Sequence, residues 1–189
     1  LGILKVEGIM RGNLKVIYSG MEYYGGHQDW LKSFGIKKFF RNRACGLAAI
    51  SNVIYYYSDE EYCEILKLAY DIVKPSLAGI YSAKRLENAL NEIALLYEIP
   101  LSTEIFNPYT YEGFRWYVND VINSGGFLIM LNYNNRNKDL SYHWVTITGA
   151  NGDVITTSNW GSKLKYSLRE IWSMRGLMLK LIKVNLDQN

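Results

Sequence analysis

The feature that most constrains this chain is a change of rhythm at Gly125-Gly126. From Cys45 to Asn123 apolar residues recur at helical spacing, and beyond the glycine pair they alternate. Cys45 to Tyr57 carries Ala48, Ala49, Asn52, Val53 and Tyr56 on one side and predicts a buried helix. Ser58-Asp59-Glu60-Glu61 has the form of a capping box, in which serine and glutamate satisfy each other's exposed amides, so a second helix is expected to run to about Val73, ahead of Pro75. Ser82 can cap a third, with Leu86, Leu90, Ile93 and Tyr97 on its apolar face and Pro100 ending it. Thr110 to Asn123 predicts a fourth, burying Phe114, Tyr117, Val118 and Val121.

After the glycines the period-two runs Phe127–Asn132, Trp144–Gly149 and Val154–Ser158 predict strands, the last two joined at Asn151-Gly152, a strong hairpin turn. Ser167-Leu168-Arg169-Glu170 is a second capping box opening a short helix, and Leu177–Val184 predicts a final strand. A strand is also expected at Lys15–Tyr18, followed by a loop containing Gly25-Gly26-His27-Gln28-Asp29-Trp30. Helices first and antiparallel strands after them predict an α+β fold, a helical half packed on a C-terminal sheet, within one domain spanning residues 1–189.

Composition then removes several function classes. The net charge of +3 comes from scattered cations with one small cluster, Lys37, Lys38, Arg41 and Arg43, which makes no stripe for nucleic acid. No apolar run approaches the roughly 20 residues that span a bilayer, so no membrane span is expected. Two cysteines and two histidines are too few for the usual zinc site, and the cysteines cannot form a disulfide framework. The lack of a leader-like amino terminus and of disulfide pairs points to the cytoplasm, with an extracellular location the alternative if a leader was trimmed ahead of Leu1. The sixteen tyrosines, Tyr55-Tyr56-Tyr57 among them, read as amphipathic core and rim.

The cysteines differ in setting. Cys63 lies inside a helical run and reads as a buried spacer. Cys45 opens a helix, where free amides and the helix dipole stabilise a thiolate. A nucleophile of this kind needs a histidine within hydrogen-bond reach and a third polar group to orient the ring. His143, at the start of a predicted strand, is one of only two candidates, the other being His27.

Arg43-Ala44-Cys45-Gly46-Leu47-Ala48-Ala49-Ile50-Ser51-Asn52 resembles the Cys-Gly-x-x-Ala-x-x-Asn helix start of papain-like cysteine peptidases, particularly the bacterial branch of bacteriocin-leader (double-glycine) peptidases. His143-Trp144-Val145-Thr146-Ile147-Thr148-Gly149 resembles the family's histidine strand, and Ser158-Asn159-Trp160-Gly161 its Asn-x-Trp-Gly segment. The resemblance implies a cysteine peptidase acting on a peptide or protein substrate through a Cys45–His143 pair and an acyl-enzyme, with no metal or organic cofactor. The same residues would serve another thiol acyl transfer, such as a cell-wall amidase or transglutaminase-like reaction, or a peptide-binding domain without catalysis. An assembled pair predicts a thiolate–imidazolium couple that alkylates below neutral pH.

The resemblance places the orienting asparagine two residues before the tryptophan, which is Ser158 here, while the asparagine itself is Asn159. A two-residue turn at Asn151-Gly152 puts Ser158 on the face of His143; a bulge or three-residue turn puts Asn159 there instead. The family's oxyanion glutamine lies about six residues before the cysteine, a position held by Phe39. Gln28, seventeen residues ahead of Cys45, is the only upstream glutamine, and Asn42 is a competing donor.

Overall fold

The computed structural model describes residues 14–133, 135–176 and 178–187. Lys15–Tyr18 (β1) and Met21–Tyr24 (β2) pair as a hairpin turning through Ser19-Gly20. A 3₁₀ helix over Gln28–Phe34 and a single turn at Lys38–Arg41 (α1) lead into three helices, Cys45–Tyr57 (α2), Tyr62–Val73 (α3) and Ala83–Leu96 (α4). Leu101–Phe106 (β3) and Tyr111–Asn123 (α5) follow. The chain then makes Phe127–Tyr133 (β4), His143–Asn151 (β5), Val154–Asn159 (β6), Ser162–Ser167 (β7), Leu168–Ser173 (α6) and Met178–Leu186 (β8). Leu177, where the last strand was expected to begin, lies outside the described residues.

The sheet has six strands in the order β3-β8-β4-β5-β6-β7, and every neighbouring pair is antiparallel. Alternation along the strands divides the interior into two cores. Phe127, Ile129, Leu131 and Trp144 face α2, α3 and α4, whereas Leu128, Met130, Val145 and Ile147 face α5 and α6. This confirms the α+β, helix-on-sheet architecture, and adds a second helical layer behind the sheet.

Two of the three expected caps are present, at Ser82 and Ser167, and Thr110 adds one that was not expected. The Ser82, Thr110 and Ser167 hydroxyls accept from the amides of Arg85, Gly113 and Glu170 at 3.2, 3.1 and 3.3 Å, each satisfying a donor that the first helical turn leaves free. The expected box at Ser58 does not form. Ser58 closes α2, and its hydroxyl is buried with no partner among the described residues; α3 starts after Glu61, which makes no side-chain cap. Packing sets that start, because Tyr62 enters the core there and its hydroxyl donates to Ala48 O at 3.0 Å.

The hairpin between β5 and β6 also differs from expectation by one residue. Asn151 pairs with Val154, so the turn is Gly152-Asp153, with Gly152 at φ 60°. The Asn119 side chain on α5 bonds both the amide and the carbonyl of Gly152, at 3.0 and 2.8 Å, and holds the turn in this frame. Among the described residues no helix is long and apolar enough to cross a membrane.

Candidate active site

Cys45 is the first residue of α2, and Gly46 lets that helix end press against β5. A Cβ at Gly46 would lie 3.1 Å from Trp144 Cδ1 and 3.3 Å from the Leu86 methyls. Trp144 is locked in turn, its indole N–H donating to Ile80 O at 2.5 Å. The thiol is half-buried beside the amides of Trp144, Gly46 and Cys45 itself. Burial pushes it above the usual cysteine range, and those amides pull the other way.

His143 opens β5 and Asn159 closes β6, so both lie at the rim of the sheet. His143 Nε2 and Asn159 Oδ1 are 2.7 Å apart. The asparagine's Nδ2 donates to Tyr166 OH at 3.2 Å and to Asp139 O at 3.4 Å, which fixes its oxygen towards the ring. The ring hydrogen therefore belongs on Nε2, leaving Nδ1 as a free acceptor. The Trp160 ring lies against the imidazole with centroids 4.5 Å apart. Burial pushes His143 down to about 4, helped by nearby His27 and opposed by the hydrogen bond to Asn159 and the charge of Asp139.

The choice between Ser158 and Asn159 is made by a bulge. Register runs Asn151↔Val154, Ala150↔Ile155 and Gly149↔Thr156, then resumes at Ile147↔Thr157 and Thr146↔Ser158 with Thr148 left over. One extra residue reverses the side-chain parity that the hairpin alone would give, so of the two alternatives it is Asn159 that shares the face of His143. Ser158 faces α2, donating to Tyr24 O at 2.8 Å and accepting from Asn52 Nδ2 at 3.1 Å. Gly149 inside the strand was the sequence signal for this bulge.

Asn52 ties the whole site together. Two turns along α2 from Cys45, its Oδ1 accepts the Gly26 amide at 2.9 Å. Its Nδ2 donates to Thr146 Oγ1 on β5 and to Ser158 Oγ on β6, at 3.0 and 3.1 Å. Gly25 sits in the left-handed region at φ 71°, and a Cβ there would fall 2.0 Å from Ser158 Oγ, so only glycine fits. The pinned loop delivers Gln28, 8% exposed, into the same narrow cleft as Cys45, His143, Asn159 and Trp160.

No sequence-family model and no curated protein sequence matches the chain. Solved structures do. The peptidase domain of Streptococcus ComA, a bi-functional ABC transporter involved in a quorum-sensing pathway, superposes with a TM-score of 0.52 at 14% identity over 78% of this chain and 93% of that one. The fold is that of papain-like peptidase domains. A double glycine motif protease from an AMS/PCAT transporter, solved in complex with the leader peptide, matches at a TM-score of 0.49 and 16% identity over 75% of this chain and 84% of that one.

On this papain-like fold, other sequence candidates fall away from the cleft or change their part. Asn42 is the exposed C-cap of α1. Cys63 is half-buried on α3, packed beside the core. The basic cluster is partly spent on structure. Arg41 binds Ile36 O and Asp29, while Arg43 binds Phe39 O and Leu77 O and lies 3.8 Å over the Phe39 ring. His27 half-buries at the N-cap of the 3₁₀ helix. Tyr166 was not foreseen: it lies on a strand whose two lysines hide its alternation, and its hydroxyl, with Asp139 O, orients Asn159.

Proposed function

We propose that this chain is a cysteine peptidase using Cys45 as nucleophile and His143 as base. The observation that carries the reading is one cleft holding a helix-start cysteine and a histidine whose ring is oriented by Asn159. His143 Nδ1 takes the thiol proton as Cys45 Sγ bonds to the peptide carbonyl carbon, and the carbonyl oxygen takes the negative charge. The Cys45 amide and the Gln28 side-chain amide serve that oxygen. Collapse breaks the C–N bond, the imidazolium protonates the departing amine, and water then hydrolyses the thioester to a carboxylate and the free thiol. With burial raising the thiol and lowering the imidazole, the resting pair is neutral in place of the thiolate–imidazolium couple expected from the sequence, so the proton moves during attack rather than before it.

A p-nitrophenyl ester tests the thiol chemistry and a proteome-derived peptide mixture tests the substrate class. A burst of p-nitrophenol with an acyl mass on the Cys45 peptide is expected, absent in Cys45→Ala and slowed at least about 100-fold in His143→Ala. New peptide amino termini should form with the unaltered protein and not with Cys45→Ala. Peptide binding with neither burst nor cleavage would replace this reading by that of a non-catalytic peptide-binding domain.

The bulge separates two neighbours that the sequence alone does not. Asn159→Ala is expected to slow acylation roughly 10- to 100-fold by freeing the ring. Ser158→Ala should stay within about threefold and register instead as a loss of roughly 1 kcal/mol in stability, because Tyr24 O loses its donor. Burst rates and urea midpoints of the two variants check this.

A further inference from the structure

Gln28 is held in an unusual way. Its Oε1 is buried without a hydrogen-bond partner among the described residues, so polar contacts of that oxygen do not fix the side chain. Its position depends on the backbone beneath it, the first residue of a 3₁₀ helix whose opening amides have no acceptor within the helix. His27 supplies one. It takes an extended conformation, φ −128° and ψ 131°, and its Nδ1 accepts the Asp29 amide at 2.9 Å.

We infer that His27 is a positioning residue for the oxyanion site, its Nδ1 cap fixing the turn that presents Gln28 to the cleft; this rests on the thiol acyl-transfer reading. The turn is braced on both sides of the cap. Before it, the Gly26 amide is bound by Asn52 Oδ1 at 2.9 Å, and a Cβ at Gly26 would strike the Tyr62 ring at 2.0 Å. After it, the Asp29 carboxylate is held by Arg41 Nε at 3.2 Å, and Trp30 stacks on Tyr18 with centroids 4.3 Å apart. Gln28 lies between these anchors, and the cap is the side-chain hydrogen bond that sets its own turn.

The arrangement also accounts for the displaced glutamine. Seventeen residues before Cys45, Gln28 cannot be carried into the cleft by the chain just ahead of α2, which is occupied by α1 and its Asn42 cap. It arrives instead from the β1–β2 hairpin, and a capped 3₁₀ turn replaces the short approach. Ser, Thr, Asp and Asn are the common residues at such a cap; imidazole does the same work only through an unprotonated ring nitrogen.

The test compares two reactions of one thiol. Alkylation by iodoacetamide at pH 8 develops no oxyanion, whereas acylation by a p-nitrophenyl ester does. Gln28→Ala is expected to slow acylation about 100-fold and His27→Ala about tenfold, with alkylation of Cys45 changed by less than about twofold in both. His27→Asn, which keeps a capping acceptor without an imidazole, should return acylation to within about threefold of the unaltered protein. Acylation by His27→Ala at the unaltered rate, failure of His27→Asn to rescue, or equal slowing of acylation and alkylation would each overturn the inference. A normal response to Gln28→Ala in those cases leaves the peptidase reading standing. No acylation of the unaltered protein would sink that reading and the inference together.

Discussion

Asn52→Ala is expected to lower the unfolding free energy by about 3 kcal/mol, while Ser51→Ala, one residue earlier on the same buried helix, is expected to leave it unchanged or raise it by up to about 1 kcal/mol. Both side chains are almost wholly inaccessible, 2% and 0% exposed, so burial does not distinguish them. Bonding does. Asn52 makes three hydrogen bonds that reach the Gly26 loop, β5 and β6, and its loss strands the buried Gly26 amide as well as removing a donor from Thr146 and Ser158. Thr146 still donates to Ala49 O and Ser158 to Tyr24 O, which keeps the cost near one stranded donor plus two weakened contacts. The Ser51 hydroxyl has no partner among the described residues, so alanine removes an unsatisfied group. Urea unfolding of the two variants reads the difference directly, and equal midpoints would refute it.

That network explains which parts of the molecule were legible in the sequence. The helices over Cys45–Tyr57, Ala83–Leu96 and Tyr111–Asn123 and the inner strands β4 and β5 bury apolar faces, and their periods stand out. By contrast, β6 was marked mainly by the turn before it, since Ile155 is its one buried apolar residue. The strands that escaped notice are β2 and the two edges of the main sheet, β3 and β7. Edge strands carry polar and charged residues that discourage pairing with other chains, and Glu104, Lys163 and Lys165 do so here at the cost of a readable pattern.

The site was legible as a set of residues and less so as a geometry. Cys45 and His143 stand out because a helix start and a strand start are local features. The partner of His143 depends on a single unpaired residue, Thr148, whose hydroxyl lies 2.6 Å from Tyr24 OH across 124 residues of chain. Local pattern contains no trace of that contact. Gln28 likewise reaches the cleft through Asn52, whose motif position was visible but whose three partners come from distant segments.

The second large effect is an acid loss of stability that belongs to His143. In the unfolded chain its imidazole titrates near 6.5, and in the fold burial holds it down to about 4. Between these values the unfolded state binds the proton and the folded state does not, so folding is opposed by acid. The stability is complete above about pH 6.5 and is lost as pH falls through 4, a difference of roughly 3 kcal/mol by the linkage of about 1.4 kcal/mol per pH unit. His143→Gln has no such titration. Measured by urea unfolding at pH 7 and pH 4, the unaltered protein should lose about 3 kcal/mol more than the variant, the carboxylates contributing alike to both. The same proton governs the chemistry, since a neutral Nδ1 is what receives the thiol proton. Acylation of Cys45 should therefore keep its imidazole-dependent part down to a limb near pH 4 instead of 6.5. Equal acid losses in the two proteins, with an acylation limb near 6.5, would mean that His143 is solvated and that the neutral resting pair is wrong.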